Sequence, residues 1–309
     1  MIRIRLLISF IFISNVLLAQ NETDIIQFDK TLNQFYNVRD FCISKDGDEA
    51  FFTLQSPDQK ISQLAYITKE NNEWSKPELL PFCDSHMYLE PFLSFNENRL
   101  FFVSDRPIRN ATDTKKNFDI WFVDRKNKND EWSEPKNIGK PVNSELDEFY
   151  PSVSKNNNIY FTMISSNGLG KDDLYFCKWE NDKYSNPVLL SENINSAGYE
   201  FNAFISEKED FILFSRYNEK DGQGSGDLYI SKKDTNGNWT KATNLGAPIN
   251  TKYMEYCPFY DEKNQVLYFT SKRNNSTPRK FNDISDFKKY LSESNNGLSK
   301  IYKTPLKIE

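Results

Sequence analysis

A four-residue phrase returns along this chain. Trp74-Ser75-Lys76-Pro77 reappears as Trp132-Ser133-Glu134-Pro135, as Tyr184-Ser185-Asn186-Pro187 and, in weaker form, as Trp239-Thr240-Lys241-Ala242. Self-similarity at a fixed period of about 50 residues marks a solenoid, a propeller or an array. The unit between successive phrases reads as strand throughout, so the spacing predicts a β-propeller.

Five units align on Ser44, Ser94, Ser154, Ser206 and Asp261. Each opens with a short strand, such as Phe41-Cys42-Ile43 or Pro91-Phe92-Leu93, and then a polar turn. A second strand follows, apolar on both faces: Ala50-Phe51-Phe52-Thr53, Leu100-Phe101-Phe102-Val103 and their counterparts. Double-sided apolar strands belong between neighbouring sheets. A third strand (Asp119-Ile120-Trp121-Phe122, Asp227-Leu228-Tyr229-Ile230) leads into the repeated phrase, whose proline suits an edge. The fifth unit stops after its third strand, while the segment from Asp24 to Leu32 stands where a fourth strand belongs. The expected fold is therefore all-β: a five-bladed propeller of four-stranded antiparallel blades, closed by an N-terminal strand. A six-bladed ring is the alternative, with part of a further unit inside the long last loop.

Several segments are similar to the TolB-type, WD40-like β-propeller repeat of bacterial envelope proteins. The best copy is Ser104-Asp105-Arg106 with Phe118-Asp119-Ile120-Trp121, followed by Ser215-Arg216 with Gly226-Asp227-Leu228-Tyr229 and by Ser271-Lys272-Arg273. The first unit departs, with Gln55-Ser56 and Gln63 in place of the Arg and the Asp. The resemblance implies a periplasmic or secreted propeller that binds other molecules. The repeated Arg and Asp end one strand and begin the next, so Arg216 and Asp227 are expected to pair across their hairpin.

Residues 1–20 have the layout of a secretory signal peptide: Arg3 and Arg5, an apolar run from Leu6 to Leu18, then a polar start at Asn21. Residues 21–309 are expected to form one propeller domain with a helical insertion at about 276–296, and no later segment is apolar enough to span a bilayer. The balance of 39 basic and 44 acidic residues excludes a dominant basic field, and with it non-specific nucleic-acid binding. Four cysteines stand outside any metal spacing. Cys42 and Cys257 lie in corresponding strands of the first and last units, where either a disulfide or apolar filling is open. The single histidine, His86, lies in a blade connection without a nucleophile motif.

The informative polar residues precede the first strand of each unit: Asp40, Glu90, Glu148, Glu200 and Glu255. First strands line a propeller's channel, so five carboxylates are expected to converge on a funnel that takes a cation, a basic peptide or a polyol. Tyr150, Tyr199 and Tyr256 accompany them. Carboxylates beside aromatic rings also suit carbohydrate, so a sugar-binding or glycoside-cleaving propeller is the rival reading. No carboxylate departs from its equivalents as a catalytic acid would, so no catalytic residue, metal or cofactor is assigned. In the insertion, Asn282 is expected to cap a helix whose Ile284, Phe287 and Leu291 share one face, a candidate partner-docking element. The sequence thus points to an exported, non-catalytic module holding a protein or peptide at the cell envelope.

Overall fold

The structure is a computed structural model and describes residues 25–108, 117–293 and 295–308. The expected leader lies outside the described residues. Five small antiparallel sheets form a five-bladed propeller. The inner strands are Asn37–Ile43, Tyr88–Leu93, Glu148–Val153, Glu200–Ile205 and Glu255–Asp261. Second and third strands follow by hairpin pairing. The outermost strands shrink to two residues, as at Glu78–Leu79 or Val188–Leu189. Instead of a sixth blade, the long last loop carries a helix, α1, at Ile284–Ser292.

The ring closes through the N-terminal strand Ile26–Gln27. Ile26 pairs with Lys303 and Gln27 with Tyr302, antiparallel to the third strand of the fifth blade. The Phe28 amide then donates to Ile301 O at 2.9 Å. Phe28 wedges between the joined blades, 4.5 Å from Phe41, 5.3 Å from Trp74 and 5.9 Å from Tyr268 between ring centroids.

The repeated phrase has a local cause. Its Ser or Thr terminates the third strand by a reciprocal pair of bonds. In the second blade the Ser133 amide donates to Asp124 O, and Ser133 Oγ accepts from the Asp124 amide at 3.0 Å. Ser75, Ser185 and Thr240 repeat both bonds with Thr68, Lys178 and Lys232. The aromatic residue before it packs into the junction with the preceding blade, as Trp132 does against Phe51 at 6.0 Å. Apolar clusters therefore straddle the blade junctions instead of filling single sheets.

Cys42 and Cys257 are both free and buried. The inner strands explain why they do not meet. Each carries a bulge, between Arg39 and Cys42 in the first blade and between Tyr256 and Phe259 in the last. Cys257 therefore matches Asp40, whereas the counterpart of Cys42 is Phe259. The two thiols face different clusters.

Closure predicts a specific sensitivity. Phe28→Ala is expected to lower unfolding free energy by about 3 to 5 kcal/mol in chemical denaturation. A loss below about 1 kcal/mol would mean that the N-terminal strand does not hold the ring shut.

Candidate functional site

The inner-strand bulge fixes what faces the axis. Its first residue is Asp40, Glu90, Tyr150, Asn202 or Cys257, and all five have left-handed φ between 51° and 58°. This turns each amide toward the preceding blade. There Thr270 Oγ1 accepts from the Asp40 amide at 3.3 Å, Thr53 from Glu90 at 3.1 Å and Thr162 from Asn202 at 3.3 Å. The corresponding residue of the second blade is Val103, which has no hydroxyl. Glu90 substitutes for it: its Oε2 accepts from the Tyr150 amide at 2.6 Å.

That substitution brings an acid into the axis beside Asp40. Arg39 holds both, with Nε 2.8 Å from Asp40 Oδ1 and Nη2 3.3 Å from Glu90 Oε1. Cys257 Sγ donates to the same Asp40 oxygen at 2.8 Å, and the Tyr150 hydroxyl donates to Pro258 O at 3.3 Å. Blades one, two, three and five are thus tied across the axis by polar groups. Burial pushes the Glu90 carboxyl up to about 8, Asp40 adds to the rise and Arg39 opposes it. Burial likewise pushes the Cys257 thiol up, with Asp40 reinforcing it.

Glu148, Glu200 and Glu255 occupy a different register, two residues before the bulge, and are fully buried. The five expected carboxylates therefore do not form one ring. These three belong to a second repeated motif, Asn-[Ser/Thr]-x3-Glu, at Asn143-Ser144, Asn195-Ser196 and Asn250-Thr251. The Asn brackets both backbone groups of a third-strand residue, as Asn195 does with Leu174. The hydroxyl donates to the Glu: Ser196 to Glu200 at 2.7 Å, Thr251 to Glu255 at 2.9 Å, and Ser144 to Glu148. Arg216 and Arg273 lie 3.1 and 3.5 Å from Glu200 and Glu255. Arg216 and Asp227 are register partners across their hairpin, but Arg216 turns to Glu200 and Asp227 accepts from the amides of Gln223 and Gly224. Among the described residues Glu148 has no arginine partner and its Oε2 no hydrogen-bond partner, and burial pushes its carboxyl up to about 7.

Near the axis, a cavity of about 210 Å³ is lined by Arg39, Glu90, Phe149, Phe201, Asn202 and Tyr256, among others. Tyr256 lies beneath Arg39 and bonds Ser299, while Tyr199 lies further out against Tyr217 and Lys171. The channel does not run through. Phe92, Phe204 and Phe259 meet at 5.2 to 6.5 Å and plug it. Beyond them a second cavity of about 330 Å³ opens on the opposite face, rimmed by Lys45, Glu97, Glu207 and Lys263. No sequence reading anticipated that mouth, because its residues lie in turns. Among the described residues no group of three or more His, Cys, Asp or Glu is placed to hold a metal.

Antiparallel order puts the start of every inner strand and every loop between second and third strands on one face. Among the described residues, every exposed large apolar side chain sits at this face except Ile26, Leu79 and Val188, which lie on outermost strands. Tyr36, Ile61, Ile164 and Leu169 are there, and so is α1. Asp283, not Asn282, caps α1, its carboxylate accepting from the Asp286 amide at 2.8 Å, while the Asn282 amide donates to Asp286 Oδ2 at 3.0 Å. The insertion folds on itself through Phe281, Phe287 and Tyr290 and the Arg279–Asp286 pair. None of the α1 side chains is buried, and Ile284 and Leu291 are 67% and 48% exposed.

No family model matches the chain and no curated protein matches it in sequence. Solved structures share its fold. A protein described as a glycoside hydrolase superposes with TM-score 0.55 at 11% identity over 88% of each chain. An α-L-arabinofuranosidase from Podospora anserina, solved with cellotriose, gives 0.53 at 12% identity over 87% of this chain and 90% of that one. TolB from Acinetobacter baumannii gives 0.46 at 10% identity over 86% of this chain, which spans about half of that one (54%). At these identities the likeness to the first two is one of fold.

The Glu90 carboxyl has a testable signature. A folded-state value raised above the unfolded one gives stability that is complete at low pH and lost as pH rises through the folded value. Wild type is expected to lose stability relative to Glu90→Gln between about pH 5 and pH 8. A difference that stays constant over that range would show that Glu90 is not held in this environment.

Proposed function

We propose that this protein is an exported, non-catalytic propeller that binds a protein or peptide partner at the bacterial cell envelope. The face bearing α1 is the docking surface. The observation that carries this reading is the segregation of exposed apolar side chains to that face, with Ile284, Phe287 and Leu291 on a helix that buries none of them. Interaction surfaces of this kind use apolar anchors set among polar neighbours. The axial acids support it from the other side. Arg39 and the Tyr150 amide engage Asp40 and Glu90, which commits these two acids to contacts within the ring, while Asp172 lines the same cavity.

A second reading keeps one specific support. Glu90 lines the axial cavity with Phe149, Phe201 and Tyr256, and a carboxyl raised to about 8 suits a general acid. A glycoside-cleaving propeller would use it so.

The two separate cleanly. Envelope extract is passed over immobilised wild type and over the I284D/F287D/L291D variant. A partner kept by wild type and lost by the variant, at an unchanged thermal transition, is expected. Retention by both proteins would contradict the docking face. Hydrolysis of an aryl α-L-arabinofuranoside by wild type, abolished in Glu90→Gln, would establish the second reading instead.

A further inference from the structure

The third blade breaks a pattern that the other blades keep. One residue past the amide that bonds the Ser or Thr of the repeated phrase, each of the first, second and fourth blades carries a cation that caps the aromatic ring of that phrase. Lys69 lies 5.5 Å from the Trp74 ring, Arg125 4.3 Å from Trp132 and Lys233 4.8 Å from Trp239. In the third blade that position is Trp179. It packs edge-on to Tyr184, 4.7 Å between centroids, and Tyr184 is itself the one phrase aromatic that is not Trp. The repeat has exchanged a cation for a second, half-buried aromatic ring.

The exchange faces a groove. A cavity of about 400 Å³ lies between the second and third blades on the face opposite α1, lined by Asn96, Asn98, Arg99, Asn157, Trp179 and Tyr184, among others. The side-chain amides of Asn98 and Asn157 make no hydrogen bond within the described protein. The Asn96 oxygen takes the Ser94 hydroxyl and the Asn98 amide, which leaves its NH2 group to donate. Arg99 pairs with Asp124 at 2.7 Å, and Lys136 reaches the same carboxylate at 3.2 Å. The platform is rigid. The Trp179 amide donates to Asn158 Oδ1 at 2.8 Å, and the Asn158 amide group bonds Glu209, which also receives the Ser154 and Tyr160 hydroxyls.

We propose that this groove binds a neutral saccharide unit. An aromatic ring offers a face to the C–H side of a sugar. Primary amides supply both a donor and an acceptor to each hydroxyl pair. Arg99, held by Asp124, adds further polar contacts at the rim. The volume falls within the range of small-ligand sites. This site is separate from the partner-docking face, and either stands without the other.

The test is saturation-transfer NMR and tryptophan fluorescence titration. The probes are the methyl glycosides of glucose, galactose, mannose, arabinose and N-acetylglucosamine at millimolar concentration. Saturable binding of at least one sugar is expected. Trp179→Lys, which writes the cation of the other blades back into the third, is expected to abolish it. Asn157→Ala is expected to weaken it by about tenfold, equivalent to about 1.4 kcal/mol. Glu90→Gln, at the axis, is expected to leave it unchanged. Asn157 is exposed, so the second variant serves if the first unfolds. The proposal is overturned if none of these sugars saturates, if both groove variants bind like wild type, or if binding is lost with Glu90→Gln.

Discussion

Each inner strand is forced through a left-handed residue at the same place, and the rest of the architecture answers to that constraint. A non-glycine residue there costs on the order of 1 kcal/mol or more. It turns an amide out of its own sheet toward the neighbour. A buried amide left without an acceptor costs a further 1 to 3 kcal/mol, roughly. The preceding blade must therefore supply an oxygen, and Thr53, Thr162 and Thr270 do so. Blade is thereby registered to blade at the innermost radius, while the aromatic wedges do the same further out. At the fourth junction Ser215 has the same position, but its hydroxyl makes no bond. Serine lacks the γ-methyl that fixes the rotamer of threonine.

The chemistry of the axis follows from the one junction that lacks a hydroxyl. Val103 leaves the Tyr150 amide without its usual acceptor, and the longer Glu90 side chain reaches across to take it. A second carboxylate then sits near Asp40 in a dry environment, and Arg39 becomes necessary to hold the two together. The cluster looks catalytic by composition. Its geometry is that of groups turned to one another and to the Tyr150 amide.

The fold was largely legible because a propeller repeats its errors and its rules alike. The phrase at Trp74, Trp132, Tyr184 and Trp239 revealed the period, the five units aligned on Ser44, Ser94, Ser154, Ser206 and Asp261 gave the blade count, and the missing fourth strand of the last unit pointed to Ile26. The site was less legible for a physical reason. All five inner strands bulge at the same place, but Glu148, Glu200 and Glu255 stand two residues before that point while Asp40 and Glu90 occupy it, and acidic character alone does not separate the two positions. Counting back from the alignment serine would have returned Asp40, Glu90, Tyr150, Asn202 and Cys257 as one ring. The Asn-[Ser/Thr]-x3-Glu motif was equally visible at Glu148, Glu200 and Glu255 and marks them as buried junction residues. The cation lost at Trp179 is also a sequence signal, but its meaning needs the groove beside it.

The central claim, that Glu90 replaces an absent hydroxyl, is tested most directly by a double-mutant cycle with Val103→Thr. If the account holds, Glu90→Ala is strongly destabilising in the natural background. It becomes nearly neutral once residue 103 carries a hydroxyl for the Tyr150 amide, a coupling on the order of 1 to 3 kcal/mol. Equal losses from Glu90→Ala in both backgrounds would contradict it and return the axial acids to a role outside the scaffold.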